Sequence, residues 1–308
     1  MGACALFRSA EWHQDNVVGT VKAPKFRYVR VDTLDRALEL LDRHGEDARI
    51  LAGGQSLMPT LNMRLSQPEI LIDINRLDGL KGISSEDGRV RIGALTRHAE
   101  VLSSPIVARD LPLIAEAMPH VAHVAVRNRG TFGGSIALAD PAAEIPACVV
   151  ALGATLVVQS VDGRREIAAG DYFKGLYETE RRANELLIEV RIPVEEPGTV
   201  SVFMELARRH GDFAIAGVAC HARFDGDVVA DARLVYFASE DKPTPGVRAM
   251  AAIIGKPWSD EAREAAAAAL ADDLDPMANL QGSPAMKLHL QRVLTGRALD
   301  AAMARSAA

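Results

Sequence analysis

ILAGGQSLMPTLNMRL, residues Ile50 to Leu65, runs from a short apolar stretch through two glycines straight into a helical pattern. Adjacent glycines cost backbone entropy, so they are kept where a side chain would collide or where φ must be positive. Gly53-Gly54 at a strand-to-helix handover therefore predicts that something approaches the backbone there. Upstream, Asp32 or Thr33 is placed to cap a helix whose apolar face is Leu34, Ala37, Leu38 and Leu41 and which Gly45 ends. Alternation typical of a strand begins near Lys25, and EILIDI, residues 69–74, reads as a further strand. The whole is a β-α-β-α-β unit.

Beyond it the pattern changes to hairpins, with turn signals at Asp87-Gly88 and Asp162-Gly163. Helices are expected over Thr96 to Leu102 and Ser104 to Met118. After Pro193 and the Pro197-Gly198 pair come three strand-like runs, parted by turns such as Asp225-Gly226, which favour an antiparallel sheet; from Pro245 the chain reads as helical. The expected division is a flexible leader over 1–22, an α/β subdomain over 23–77, a second over 78–194, and a third domain, three strands plus helices, over 199–304.

With 308 residues, 48% of them hydrophobic, the chain can bury cores for several domains. Its net charge of −6 lacks the basic character of nucleic-acid binders, so nucleic acid is not an expected partner. The cysteines, Cys4, Cys148 and Cys220, have no CxxC spacing and can build neither a disulfide framework nor an iron-sulfur ligand set. No apolar run reaches the length of a membrane span, and Arg8 interrupts the only signal-like start, so a cytoplasmic location is expected.

Glycine pairs occur twice in similar settings, in AGGQS (Ala52 to Ser56) and TFGGS (Thr131 to Ser135). A lone pair is more often a tight turn. Two such loops, each with a nearby Ser at a helix start, can instead present unencumbered amides and a hydroxyl to one pyrophosphate. No GxGxxG follows the first strand, and GxxxxGK[ST] and GxSxG are missing, which leaves no Rossmann or P-loop site and no nucleophile elbow; no catalytic residue is assigned. Around the second loop, Arg127 and Arg129 could neutralise an anion or pair with carboxylates, and Asp140 and Glu144 offer acceptors for ribityl or ribose hydroxyls. His120 and His123 lack a third ligand nearby, so no metal is expected.

LAGGQSLMPTLNMRL, VRNRGTFGGS, ADPAAEIPA, LLIEVRIP and FMELARRHGDFAIAGVA, in this order, resemble the FAD-binding medium subunits of molybdenum hydroxylases, such as the carbon monoxide dehydrogenase medium subunit and the FAD domain of xanthine dehydrogenase. The resemblance covers Lys25 to about Met303. It implies an α+β chain: a two-subdomain FAD-binding fold of the vanillyl-alcohol oxidase/PCMH type, then a C-terminal domain of antiparallel sheet plus helices. It also implies FAD held by Ala52, Gly53, Gly54, Gln55, Ser56 and Leu57, then by Thr131, Phe132, Gly133, Gly134 and Ser135, with Glu144 as an acidic contact and Leu187 against the flavin ring. Partners would be a molybdopterin-binding large subunit and a 2Fe-2S small subunit, in a dimer of heterotrimers. In such a complex this chain would take electrons from the clusters and pass them to an external acceptor. Two positions depart from the family: Leu138 where His is frequent, and Glu205 where some members have Lys, which puts the flavin's redox poise in question. The rival readings are a self-sufficient FAD oxidase, whose larger capping domain and flavin-linking His or Cys are not seen here, and a scaffold that has lost FAD, against which both intact glycine pairs argue.

Overall fold

A computed structural model describes residues 23–307; the expected leader lies outside the described residues. The first unit is β1 (Arg27–Arg30), α1 (Leu34–His44), β2 (Ala48–Leu51), α2 (Leu57–Asn62) and β3 (Ile70–Asp73), with both strand pairings parallel in the order β1-β3-β2. Thr33 caps α1 by accepting the Arg36 N–H, and Gly45 closes it at φ +48°. The buried face of α1 is Ala37, Leu38, Leu40 and Leu41, at helical spacing. Parallel strands need crossovers, which α1 and α2 supply.

A second, antiparallel sheet is built from β4 (Ile83–Glu86) and β5 (Arg89–Gly93). Between these and its later strands run six short helices: α3 (His98–Leu102), α4 (Pro105–Asp110), α5 (Pro112–Ala117), α6 (Val124–Arg127), α7 (Phe132–Leu138) and α8 (Glu144–Ala151). Then come β6 (Thr155–Ser160), β7 (Gly163–Ala168), α9 (Ala169–Tyr172), the small ladder of β8 (Phe173–Gly175) and β9 (Glu178–Thr179), and β10 (Leu186–Pro193). The sheet order β4-β5-β10-β6-β7 puts β10, last in the chain, at the centre. The helix expected over Ser104 to Met118 is two helices, because Pro112 lacks an N–H and its ring clashes with the carbonyl four residues back. Likewise α3 begins at His98 rather than Thr96, since Thr96 and Arg97 are drawn into pairing with Thr131 and Phe132.

The last sheet has four strands, β11 (Thr199–Ala207), β12 (Ala214–Asp225), β13 (Val228–Phe237) and β14 (Thr244–Pro245), one more than expected. Two residues carry no readable period, and Pro245 is tolerated because β14 is an edge. Helices α10 (Val247–Ile253), α11 (Asp260–Asp273) and α12 (Pro284–Ser306) complete the chain. One core joins the second and third units, running from Val90, Phe132 and Leu156 to Phe203, Ala219 and Phe237. Another binds the first unit to the second through Leu95, Val157, Leu186 and Ile188.

Candidate functional site

The first glycine loop leaves β2 where the first two units meet. A Cβ on Gly53 would lie 2.5 Å from the carbonyl oxygen of Arg129 and 2.8 Å from the Cα of Gly130. Real carbons do not approach backbone so closely, so Gly53 is glycine because the second unit's main chain presses against it. Gly54 has φ +70°, where a side chain is strained. Beyond these turns, the amides of Gly53, Gly54, Gln55, Ser56 and Leu57 donate to no partner among the described residues. Five consecutive donors are thus open, and the Ser56 hydroxyl makes no capping bond with them.

The second loop is different. Phe132 N–H donates to Thr96 O at 2.9 Å, Gly133 N–H to Ala94 O at 2.9 Å, Gly134 N–H to the Thr131 hydroxyl at 3.1 Å and Ser135 N–H to Thr131 O at 3.1 Å. The expectation that both loops offer bare amides is corrected here: four of the second loop's five amides, those of Phe132 to Ser135, bind its own unit. Gly133 packs directly on Ala94, where a Cβ would come within 2.5 Å. Beneath the loop lies His98, buried, with the position of a Gly130 Cβ 3.0 Å from its Nδ1. Neither ring nitrogen makes a well-formed hydrogen bond. Burial lowers its pKa to about 4, an effect that the nearby Thr131 backbone offsets only in part and that Arg127 and Arg97 reinforce.

Where the first two units meet opens a cleft of about 390 Å³ lined by Ala52, Gly53, Asp73, Asn75, Arg97, Asn128 and Arg129. Its floor is a chain of hydrogen bonds. Tyr28 donates to Asp73 at 2.5 Å, and Asn75 Nδ2 donates to Asp73 at 2.7 Å and to Ala52 O at 2.8 Å. Across the cleft, Arg97 Nη2 donates to Asn75 Oδ1 at 2.7 Å and Arg97 Nη1 to the Arg129 carbonyl. Burial pushes the Asp73 carboxyl up, but bonds from Tyr28 and Asn75 outweigh it and hold the group below its ordinary value. Asp73 is therefore anionic with its oxygens in use. Burial likewise lowers the Arg97 guanidinium; Glu100 opposes the shift and Arg129 adds to it.

Arg97 is the residue missed in the sequence. It lies in no motif, and only the pairing of residues 94–98 with 130–133 brings it to the cleft. Arg129 lines the cleft, whereas Arg127 faces away and donates to the carbonyls of Pro119, Val121 and Ala122. A larger groove of about 960 Å³ lies where Leu77 to Leu80 meet the outer face of the second sheet. Its Arg91 and Arg191 are already paired with Glu189, and six acidic residues face four arginines in its lining, so it does not favour an anion.

Glu144 and Leu187 do not line the cleft. Glu144 starts α8, beyond the far end of α7, a helix about 10 Å long by its seven residues. Burial raises its carboxyl to about 7, and Glu205 adds to the effect, so it is a hydrogen-bond donor as much as the expected acceptor. Near it, Glu205 reaches His120 Nδ1 at 3.2 Å while its Oε2 is buried without a partner, and this bond raises the His120 pKa. Leu187 is 3% exposed, at the irregular step of β10 against β6. No group of His, Cys, Asp and Glu suited to a metal occurs among the described residues.

A loop of open amides that reaches the cleft at Gly53, with two guanidinia without carboxylate partners on that cleft, is the donor set a diphosphate requires. A fold of two subdomains meeting at such a cleft, followed by a sheet-and-helix domain, defines a flavoprotein subunit of the molybdenum hydroxylase type. The chain belongs to that family: residues 24–195 match the FAD binding domain in molybdopterin dehydrogenase, and residues 201–302 match the CO dehydrogenase flavoprotein C-terminal domain. It is an FAD-dependent oxidoreductase subunit. It is 39% identical over 284 residues to the carbon monoxide dehydrogenase medium chain of Hydrogenophaga pseudoflava, covering 92% of this chain and 99% of that one. To the 6-hydroxypseudooxynicotine dehydrogenase complex subunit alpha of Paenarthrobacter nicotinovorans it is 38% identical, covering 93% and 97%. Among solved structures, carbon monoxide dehydrogenase from H. pseudoflava matches with a TM-score of 0.89 at 40% identity, covering 92% and 99%. Quinoline 2-oxidoreductase from Pseudomonas putida 86 matches at 0.88 and 36% identity, with the same coverage.

Proposed function

We propose that this chain is the electron-accepting FAD subunit of a cytoplasmic complex with a molybdopterin-binding large subunit and a 2Fe-2S small subunit, assembled as a dimer of heterotrimers. Five open amides in the first glycine loop, which reaches the cleft at Ala52 and Gly53, and two guanidinia on that cleft carry this reading. Gly53 to Leu57 and Ala52 hold the diphosphate. Thr131 to Ser135 set the wall against which the rest of the dinucleotide runs, and Glu144 and Leu187 belong to the flavin end. The working division is 23–77, 78–194 and 199–304.

When bound, FAD supplies redox chemistry that couples single-electron donors to a two-electron acceptor. The chain's own residues bind and orient it. Cys148 and Cys220 are buried, burial raises the first thiol and pushes the second to about 12, and as neutral thiols in apolar surroundings they make poor cluster ligands. This supports clusters held by a partner. Glu205, where a cation would favour the reduced flavin, is instead tied to His120.

Purification of the complex from its native host tests the assignment. Equimolar FAD on this chain, with molybdenum and iron on two co-purifying chains, is expected. A lone chain that turns over substrate without either metal would overturn it.

A further inference from the structure

The guanidinium of Arg97 is half-buried, bridges the first two units, and has only neutral acceptors: the Asn75 amide oxygen and the Arg129 carbonyl. No carboxylate pairs with it among the described residues, and the side chain of Arg129, on the same cleft, has neither a hydrogen bond nor an ion pair there. Two like charges sharing a cleft repel each other, and Glu100 and Asp73 offset the desolvation of Arg97 only in part, without pairing with it. The lining's one carboxylate, Asp73, spends its oxygens on Tyr28 and Asn75. Something anionic therefore completes the cleft. The loop of five open amides reaches the same cleft at Gly53 and offers it neutral donors.

We infer that Arg97 binds the cofactor's diphosphate directly and sets the preference of this site for FAD over flavins that end in one phosphate. The inference rests on the assignment of FAD to the glycine loops. Arg97 suits the task through its anchorage: Asn75 holds its Nη2 and also holds Ala52 O, so guanidinium and amide loop are fixed to one frame. A planar fork held at two points addresses neighbouring phosphate oxygens better than a mobile ammonium. Arg129, exposed and unanchored, adds charge without geometry.

A simpler role would be a latch that only ties Asn75 to Arg129. Charge separates the two. Flavin-stripped full-length protein and its Arg97→Gln and Arg97→Lys variants are titrated with FAD and with FMN, at low and at high salt, with thermal unfolding as a check on folding. If the cation meets the diphosphate, Arg97→Gln weakens FAD about tenfold or more, narrows the FAD-to-FMN affinity ratio and flattens the salt dependence. Arg97→Lys retains most of the salt dependence. Equal losses of salt dependence in both variants, or wild-type FAD affinity in Arg97→Gln, would overturn the inference while leaving the FAD assignment intact. Wild-type protein that binds no FAD would overturn both. Should Arg97→Gln not fold, the salt dependence of Arg97→Lys decides alone.

Discussion

Gly53 and Gly54 look equivalent in the sequence, and the structure gives them different duties. A methyl on Gly53 meets the rigid main chain of Arg129 and Gly130, whereas one on Gly54 meets the ends of Leu51 and Met58 at 3.1 and 3.3 Å. Gly53→Ala is therefore expected to lower stability by about 1–3 kcal/mol and to release FAD by wedging the units apart. Gly54→Ala costs about 1–2 kcal/mol, from φ alone. Thermal melts and flavin content read both; equal flavin retention in the two variants would contradict the wedge. Two buried groups, His98 and Glu144, act in opposite senses on stability between about pH 4 and 7. His98 is neutral in the fold to about pH 4 while the unfolded chain protonates near the ordinary histidine value, so stability is lost as pH falls from about 6.5 to 4, by about 3 kcal/mol in all. Glu144 stays protonated to about pH 7, so its burial costs nothing at low pH and a similar amount, about 3 kcal/mol, builds as pH rises from about 4.5 to 7. The two slopes cancel over the shared window. In flavin-stripped Glu144→Gln protein, urea denaturation at stepped pH should uncover a rise of about 1.4 kcal/mol per pH unit from His98. A flat profile would deny the buried histidine its role.

At the scale of elements, α7 is short and glycine-rich at its start, and its order comes from its cap and from the segment that follows β5. Thr131 accepts the Gly134 N–H, and Phe132 and Gly133 are zipped to Thr96 and Ala94. Thr131→Ala should cost about 1 kcal/mol, measured by denaturation of the flavin-stripped chain, because one early helical donor loses its partner. An unchanged midpoint would place the burden on the zipper alone. Local signals read well wherever the determinant was local: the Thr33 and Gly45 caps, the Asp-Gly turns at 87–88, 162–163 and 225–226, and the run of β3. They read poorly where a distant partner decides. Strand pairing across about 35 residues removed Thr96 and Arg97 from α3, and β14 exists only because β13 offers it an edge.

Over the whole molecule, the third domain is not an appendage. Its Phe203, Ala219, Val235 and Phe237 lie in the same core as Val90, Phe132 and Leu156, and Ala238 N–H donates to Pro141 O at 2.7 Å, in the loop between α7 and α8. A chain cut after residue 195 would expose that core, and it is expected to aggregate or to lack near-ultraviolet circular dichroism. A soluble, FAD-binding fragment would argue against the shared core. For the same reason the intact second and third units should melt in one calorimetric transition.

The sequence by itself displayed the glycine pairs, helix caps and hydrophobic period, which are local properties, and its resemblance to the FAD-binding subunits of molybdenum hydroxylases implied the class of protein. It pointed to the first glycine loop and to FAD. Only the tertiary structure decided that one loop is open and the other spent, that Gly53 serves the contact between units, and that Arg97 rather than Arg127 faces the cleft. Each of these turns on which distant backbone occupies a donor or a space, and such partners are chosen by packing between units, not by the residues that stand beside them in the chain.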